Sequence, residues 1–169
     1  MASDFRLSGL LSGDDALRIY RGDLLVGGGI GNLCGGLCGS LDGHFLADLY
    51  GQLFLCNRQQ TEFYLFITCG DKPFRSKDFS NALAVSRVSF APAELMETML
   101  GTQIGAATVF SSLLDCDNKV QIVFDKDVLS EEYYGCSDGT TTGYMKIRTE
   151  DIVRRFLTYA KHKLTVIEV

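Results

Sequence analysis

From Leu53 onward, short apolar runs rich in aromatic and β-branched residues alternate irregularly with amphipathic segments. Runs of about four to eight such residues predict strands, and apolar residues at helical spacing predict helices. The predicted strands cover residues 52–56, 62–68, 87–90, 120–124, 142–147 and 164–168, and the predicted helices cover 77–85, 92–100 and 150–161. This order of elements predicts an α+β fold, with a mixed, mostly antiparallel sheet and flanking helices.

The ends of two predicted helices carry start and stop signals. Pro92 lies where a first-turn proline is tolerated, and Gly101 follows the last apolar residue of its helix as a stop. Thr149 is expected to cap the last helix, and Glu150 places negative charge in its first turn. The predicted apolar face of that helix comprises Ile152, Val153, Phe156, Leu157 and Ala160.

The first 50 residues differ in character from the rest. A short helical pattern from Asp14 to Tyr20 precedes a glycine-rich stretch over residues 27–43. The stretch does not have the spacing of a nucleotide-binding loop, because Asn32 and Cys34 stand where glycines are required. We expect a conformationally loose segment, or a small-residue turn or helix pair. The chain is predicted to be a single domain, 1–169, with a divergent part, 1–50, before a core, 51–169.

The balance of charge restricts how the chain could bind nucleic acid. The 169 residues carry a net charge of −5, so the field of the whole molecule repels phosphate. Any contact with nucleic acid therefore needs a local basic patch. The candidate residues are Lys72, Arg75 and Lys77 near one loop, and Arg154, Arg155, Lys161 and Lys163 near the C-terminus. The alternative is that these are ordinary solvated faces.

Cysteine and histidine usage favours neither a metal site nor a catalytic triad. None of the six cysteines forms a C-x-x-C pair, and the chain has only two histidines, His44 and His162. We expect a surface His44, and a His162 that complements a helix end. The N-terminus lacks a signal pattern, and no apolar run reaches about 18 residues. The expectation is a cytoplasmic chain with buried free thiols, no cofactor, no metal and no membrane span.

The most informative stretch is 87–110, where a strand, a helix and a glycine stop precede a second glycine and several small residues. Gly101 and Gly105 bracket a tight turn, and main-chain amides beside glycine can face a ligand without shielding side chains. Such a turn can hold an anion or polarise a carbonyl oxygen. The candidate donors are the amides of Gly105 and Ala106. The alternative is a simple connection between elements.

An ordered series of motifs resembles the YbaK-type family of aminoacyl-tRNA editing domains, specifically its prolyl-tRNA synthetase-associated, PrdX-like branch. The series runs over roughly residues 51–169. Two strand-like pieces open it, at 53–55 (LFL) and 63–67 (FYLFI). The other pieces are 87–91 (RVSFA), 100–101 (LG), 105–110 (GAATVF), 120–129 (VQIVFDKDVL), 135–144 (GCSDGTTTGY) and 149–152 (TEDI).

The resemblance implies a mixed sheet with a small pocket that hydrolyses the ester of mischarged tRNA, chiefly alanyl-tRNA for proline. It implies Gly105 and Ala106 as main-chain oxyanion donors. The pocket residues that it implies are Gly51, Gly101, Thr108, Phe110, Ser137, Thr140 and Thr142. The implied partners are mischarged tRNA and, in addition, a synthetase or another protein.

Several positions depart from the family pattern. Gly51 stands where the family has lysine, and Leu49 and Ser137 stand where it has histidine. Further departures are Asp138 and Val109 in place of prolines, and Thr141 in place of asparagine. Losing a charged hydrogen bond costs about 1.5–3 kcal/mol. A second hypothesis is therefore a catalytically degenerate module that binds tRNA or protein on the same scaffold. The oligomeric state is not predicted.

Overall fold

Two β-sheets organise the part of the chain that the computed structural model describes, residues 25–27, 50–70, 72–139 and 144–169. The strands are β1 (Leu25–Gly27), β2 (Tyr50–Asn57), β3 (Phe63–Cys69), β4 (Val88–Phe90), β5 (Val120–Asp125), β6 (Tyr133–Ser137), β7 (Tyr144–Arg148) and β8 (Leu164–Ile167). One sheet has five strands in the order β4-β2-β3-β5-β8, and the other has three in the order β1-β7-β6.

The five-stranded sheet is mixed. Strand β2 runs antiparallel to β3 and β4, whereas β3, β5 and β8 are mutually parallel neighbours. Parallel neighbours need long crossovers, and here one crossover passes through β4 and the next through β6 and β7. The three-stranded sheet is antiparallel throughout. The predicted α+β fold with a mixed sheet and flanking helices is confirmed, and over the two sheets four of the six described strand pairings are antiparallel.

Helices connect and cover these strands. They are α1 (Ser76–Leu83), α2 (Ala93–Leu100), a 3₁₀ helix (Val109–Leu114), α3 (Lys126–Ser130) and α4, which runs over 149–159 with a π-helical middle at Ile152–Phe156. Within the described residues, no helix is both long and apolar enough to cross a membrane. The predicted helix at Asp14 to Tyr20 and the glycine-rich stretch beyond Gly27 lie outside the described residues.

Two elements were not predicted, and one local prediction is wrong. Strand β6 and helix α3 were not predicted from the sequence, although both are regular elements of the core region. Thr149 does not cap α4, because Arg148 occupies the cap position and Thr149 is the first helical residue. The Thr149 hydroxyl is buried and has no hydrogen-bond partner among the described residues. Its backbone amide instead donates to the carbonyl of Glu132, at 3.0 Å.

The core lies on both faces of the five-stranded sheet. On one face, Phe54, Leu65 and Phe124 pack with residues of the three-stranded sheet, α2, the 3₁₀ helix and α4. On the other face, the strand residues that alternate with these pack around Phe79 of α1. We call these the inner face and the α1 face of the sheet. Most of the buried side chains, and the glycine turn after α2, belong to the inner face.

A buried carboxylate fixes the end of β5. Asp125 is wholly buried and accepts hydrogen bonds from Lys72 Nζ at 2.7 Å and from the Thr68 hydroxyl at 3.4 Å. Its other oxygen accepts from the amide of Asp127, at 3.3 Å, which makes it the cap of α3. Because an unpaired buried charge is strongly unfavourable, Lys72 is held in place by the carboxylate that it neutralises.

Candidate functional site

Gly101 ends α2 in a left-handed conformation, with φ of +60°. Its amide donates to the carbonyl of Glu97, at 3.0 Å, as the closing bond of the helix. A Cβ atom added at this position would overlap the side chain of Leu114 from the 3₁₀ helix. The predicted stop is therefore confirmed, and the glycine lets Leu114 approach the backbone. Gly101 thus has a packing role, whatever it contributes to a pocket.

Gly101→Ala should lower the free energy of unfolding by about 1 kcal/mol or more beyond the loss caused by Gly105→Ala. Both glycines have positive φ, so both variants lose about 1–2 kcal/mol to left-handed strain. Only the alanine at 101 also meets a neighbour, because a Cβ at Gly105 has no heavy atom within 4 Å. Urea denaturation followed by far-UV circular dichroism measures both losses. Equal losses would contradict the close approach of Leu114.

The turn that follows exposes one main-chain donor. Gly105 has φ of +87°, lies at the surface and would leave open space around an added Cβ. Among the described residues, its amide has no hydrogen-bond partner. The amide of Ala106 instead donates to the carbonyl of Gln103, at 3.0 Å, and closes the turn. Of the two donors expected from the sequence, Ala106 is thus already engaged, and Gly105 remains open.

After Gly105 the chain turns into the protein. Ala106, Ala107, Thr108 and Phe110 are all buried, with Thr108 at 0% exposure. The Phe110 ring lies edge-on to that of Phe156 in α4, with centroids 4.6 Å apart. Phe110 is therefore part of the packed core on the inner face of the sheet, and it anchors the segment that follows the glycine turn. The glycine turn has an exposed rim and a rigid, buried continuation.

Thr108 meets β6 at a residue that the sequence reasoning missed, Cys136. The Thr108 hydroxyl has no nitrogen or oxygen partner among the described residues, and its polar neighbour is the Cys136 thiol. Burial raises the pKa of that thiol to about 12, which keeps it protonated near neutral pH. Cys136 is therefore a wall residue rather than a nucleophile. Its signal was hidden because β6 itself was not predicted.

Ser137, the next residue of β6, is buried. Its hydroxyl oxygen accepts a hydrogen bond from the amide of Gly139, at 3.1 Å. Ser137 follows Cys136 in β6, and because successive side chains of a strand point to opposite faces, its side chain points away from the face on which the Cys136 thiol meets Thr108. Thr140 and Thr142, the other predicted hydroxyl residues, lie outside the described residues. The Cys136 thiol is therefore the contact that joins Thr108 to β6, and the positions of Thr140 and Thr142 are not described.

Gly51 belongs to a different face of the sheet. It lies opposite Thr68 in the β2–β3 ladder, and an added Cβ would be 3.4 Å from the Thr68 methyl group. Thr68 alternates with Ile67, which packs on the inner face, so Gly51 and Thr68 point to the α1 face. Ala107 and Phe110 pack on the inner face. The expected grouping of Gly51 with the turn in one pocket is therefore not found.

The predicted phosphate-binding cations differ in availability. Burial lowers the pKa of the Lys72 ammonium, but hydrogen bonds to Asp125 and Asp127 outweigh it and hold that pKa above its usual range. Arg154 pairs with Glu150 at 2.7 Å and Arg155 with Asp151 at 3.2 Å, both within one exposed helix face. Arg75 and Lys77 are exposed and have no ion pair with any described residue. Because its ammonium group is held by two carboxylates, Lys72 is not available to bind phosphate and does not belong to the candidate basic patch.

His162, which was expected to complement a helix end, is buried and lies just beyond the end of α4. Its Nε2 lies 3.1 Å from the Ser112 carbonyl oxygen and 3.9 Å from Asp115 Oδ2. The Ser112 hydroxyl donates to the Val109 carbonyl, at 2.7 Å, and not to the imidazole. Asp115 accepts from the amides of Lys119 and Val120. Ser112, His162 and Asp115 therefore lie close together, but their hydrogen bonds hold backbone segments in place and do not have the geometry of a nucleophilic triad.

Comparisons with known proteins agree with this architecture. The profile of the family described as "Aminoacyl-tRNA editing domain" matches residues 50–155, which is more than half of the chain. A crystal structure of a hypothetical protein superimposes with a TM-score of 0.55 at 16% identity, covering 72% of this chain and 74% of that chain. A candidate trans-editing enzyme for prolyl tRNA synthetase also gives 0.55, at 13% identity, with coverages of 73% and 71%. A search of curated proteins finds no match.

Proposed function

Because the chain belongs to the family of aminoacyl-tRNA editing domains, we propose that it hydrolyses the ester bond of mischarged aminoacyl-tRNA. The proposed substrate is alanyl-tRNA for proline or a related species. One observation carries the proposal: the amide of Gly105 is open and lacks a partner among the described residues, at the head of a rigid turn. The likeness to a candidate trans-editing enzyme for prolyl tRNA synthetase supports the choice of substrate class.

The proposed chemistry is acyl transfer to water. A water oxygen attacks the ester carbonyl carbon, and the carbonyl oxygen becomes an oxyanion that accepts a hydrogen bond from the Gly105 amide. The tetrahedral intermediate then collapses, the bond to the ribose oxygen breaks, and that oxygen takes up through solvent the proton that the attacking water released, which leaves a free amino acid and a ribose hydroxyl. Main-chain donors aimed at a developing oxyanion are typically worth about 10²–10³ in kcat. A side-chain nucleophile is not required for this route.

We propose that the acyl group lies between the glycine turn and the end of β6. Thr108 and Cys136 would form its buried wall, and Ser137, Thr140 and Thr142 its hydroxyl-rich rim. Gly101 would shape this site only by letting Leu114 pack beneath the turn. Gly51 is left out of the site because it points to the α1 face.

For tRNA contact, we propose that Arg75 and Lys77 provide free positive charge. Arg154 and Arg155 form exposed ion pairs within one helix, and such pairs contribute only about 0.3–0.5 kcal/mol, so both guanidinium groups can exchange their partners for phosphate. A synthetase that supplies the mischarged tRNA is a proposed protein partner. The proposed compartment is the cytoplasm, where such tRNA is charged.

A second candidate function is binding without turnover. It is favoured by the engaged amide of Ala106, which leaves one donor where two were expected. It is also favoured by Gly51 and Ser137, which replace the lysine and histidine of the family pattern. On this alternative, the scaffold binds tRNA or a protein partner and the ester stays intact.

A deacylation assay with a panel of mischarged tRNAs distinguishes the two candidates. The full chain is mixed with alanyl-tRNA for proline and with other aminoacyl-tRNAs, and loss of the labelled amino acid is followed against uncatalysed hydrolysis. We expect turnover of at least one small aminoacyl ester. No turnover of any ester, together with retained tRNA binding, would support the second candidate and overturn the first.

A further inference from the structure

An exposed aromatic ring stands at one edge of the five-stranded sheet. Phe90 of β4 is 62% exposed, although it belongs to a strand of the core sheet. Its ring is held by Phe74, with centroids 5.5 Å apart in an edge-to-face arrangement. Phe74 in turn contacts Phe66 and Phe79. Phe90 is therefore the solvent-exposed end of a packed aromatic cluster, and Phe74 fixes the position of its ring.

The main chain at this position is also accessible. Strand β4 is the terminal strand of its sheet, and no other described strand pairs with its outer side. The amide of Ala91 donates to the Phe54 carbonyl, at 2.9 Å, so Ala91 and Ser89 face β2 in the alternating ladder. The amide and carbonyl of Phe90 therefore point outward. The edge offers a stacking face beside an open donor and acceptor.

Two arginines line a cavity together with Phe90. The arginines are Arg58 and Arg87, and the cavity has a volume of about 440 Å³, which is within the range of small-ligand sites. Arg58 and Arg87 are exposed and have no ion pair with any described residue. The carboxylate of Glu62 accepts one hydrogen bond from the side-chain amide of Asn57, at 3.1 Å, and another from the Tyr64 hydroxyl, at 3.4 Å.

We propose that this edge binds single-stranded RNA, with one base stacked on Phe90 and adjacent phosphates on Arg58 and Arg87. Stacking platforms flanked by cations are how proteins hold unpaired nucleotides without reading their sequence. The unpaired arginines supply the local attraction that a molecule with a net charge of −5 needs. The inference rests on the proposed function in that the RNA is taken to be an unpaired segment of the tRNA substrate.

Fluorescence anisotropy with a labelled single-stranded RNA of about twelve nucleotides tests the surface. Phe90→Leu keeps an apolar contact with Phe74 but removes the stacking face, and it should weaken binding about tenfold or more. Phe90→Tyr should restore the affinity of the native chain. Arg87→Gln should reduce the slope of log affinity against log salt by about 0.7, the value for one phosphate contact on a single strand. Circular dichroism verifies that each variant is folded.

Tyr159 provides the matched control, because it is an aromatic residue of α4 that is 53% exposed and lies outside this edge. Tyr159→Leu should bind RNA like the native chain. The inference is overturned if Phe90→Leu binds equally well, if Tyr159→Leu loses the binding instead, or if the native chain does not bind. Because the probe carries no ester, binding at Phe90 without deacylation would refute only the proposed hydrolysis.

Discussion

Replacing Asp125 by alanine should lower the free energy of unfolding by about 3 kcal/mol, which combines about 2 from a charged hydrogen bond with about 1 from a helix cap. The carboxylate is wholly buried and lies 2.7 Å from the Lys72 ammonium. It also caps α3 through the amide of Asp127. The substitution removes these two contacts and the weaker hydrogen bond from the Thr68 hydroxyl, and it leaves the half-buried ammonium with one exposed partner, Asp127. Urea denaturation followed by far-UV circular dichroism measures it.

Asp127 is the matched control for this prediction. Its carboxylate is 2.8 Å from the same ammonium, but its side chain is 60% exposed. Exposed ion pairs contribute about 1 kcal/mol or less, so Asp127→Ala should have a small effect. If the two alanine variants lost the same stability, the buried carboxylate would not be what joins β5, α3 and the loop at Lys72.

The strands that form the centre of the large sheet were predictable because each is a nearly continuous apolar run. In β3 and β5, burial on both faces requires such a run, and neither contains a glycine or proline. Strand β6 was missed because Gly135 lies in its middle and Ser137 at its end, and both weaken a strand pattern. Its burial comes from packing against the large sheet, which no local pattern reveals.

The candidate site was likewise predictable from the sequence only in part. The glycines at 101 and 105 predicted a tight turn, and the structure gives both of them a positive φ. The bond that closes the turn on Gln103 depends on the particular turn geometry, so the engaged amide of Ala106 could not be read from composition. Lys72 was misjudged for a related reason, because its buried partner lies 53 residues further along the chain.

The proposed role of the Gly105 amide depends on the amide hydrogen atom and not on a side chain. An amide-to-ester replacement, which puts an oxygen in place of the Gly105 N–H, removes the donor and adds no Cβ. Because the Gly105 amide has no hydrogen-bond partner among the described residues, this replacement breaks no internal hydrogen bond there. The same replacement at Ala106 removes an internal bond instead, so it should cost about 1 kcal/mol of stability and leave kcat unchanged.

The decisive measurement is single-turnover deacylation of the mischarged tRNA that the native chain hydrolyses fastest, by these two ester-containing proteins. For the replacement at Gly105, the account predicts a fall in the deacylation rate of about 10²–10³, with the thermal midpoint unchanged. A Gly105 ester protein that deacylates tRNA as fast as the native chain would contradict the proposed oxyanion donor.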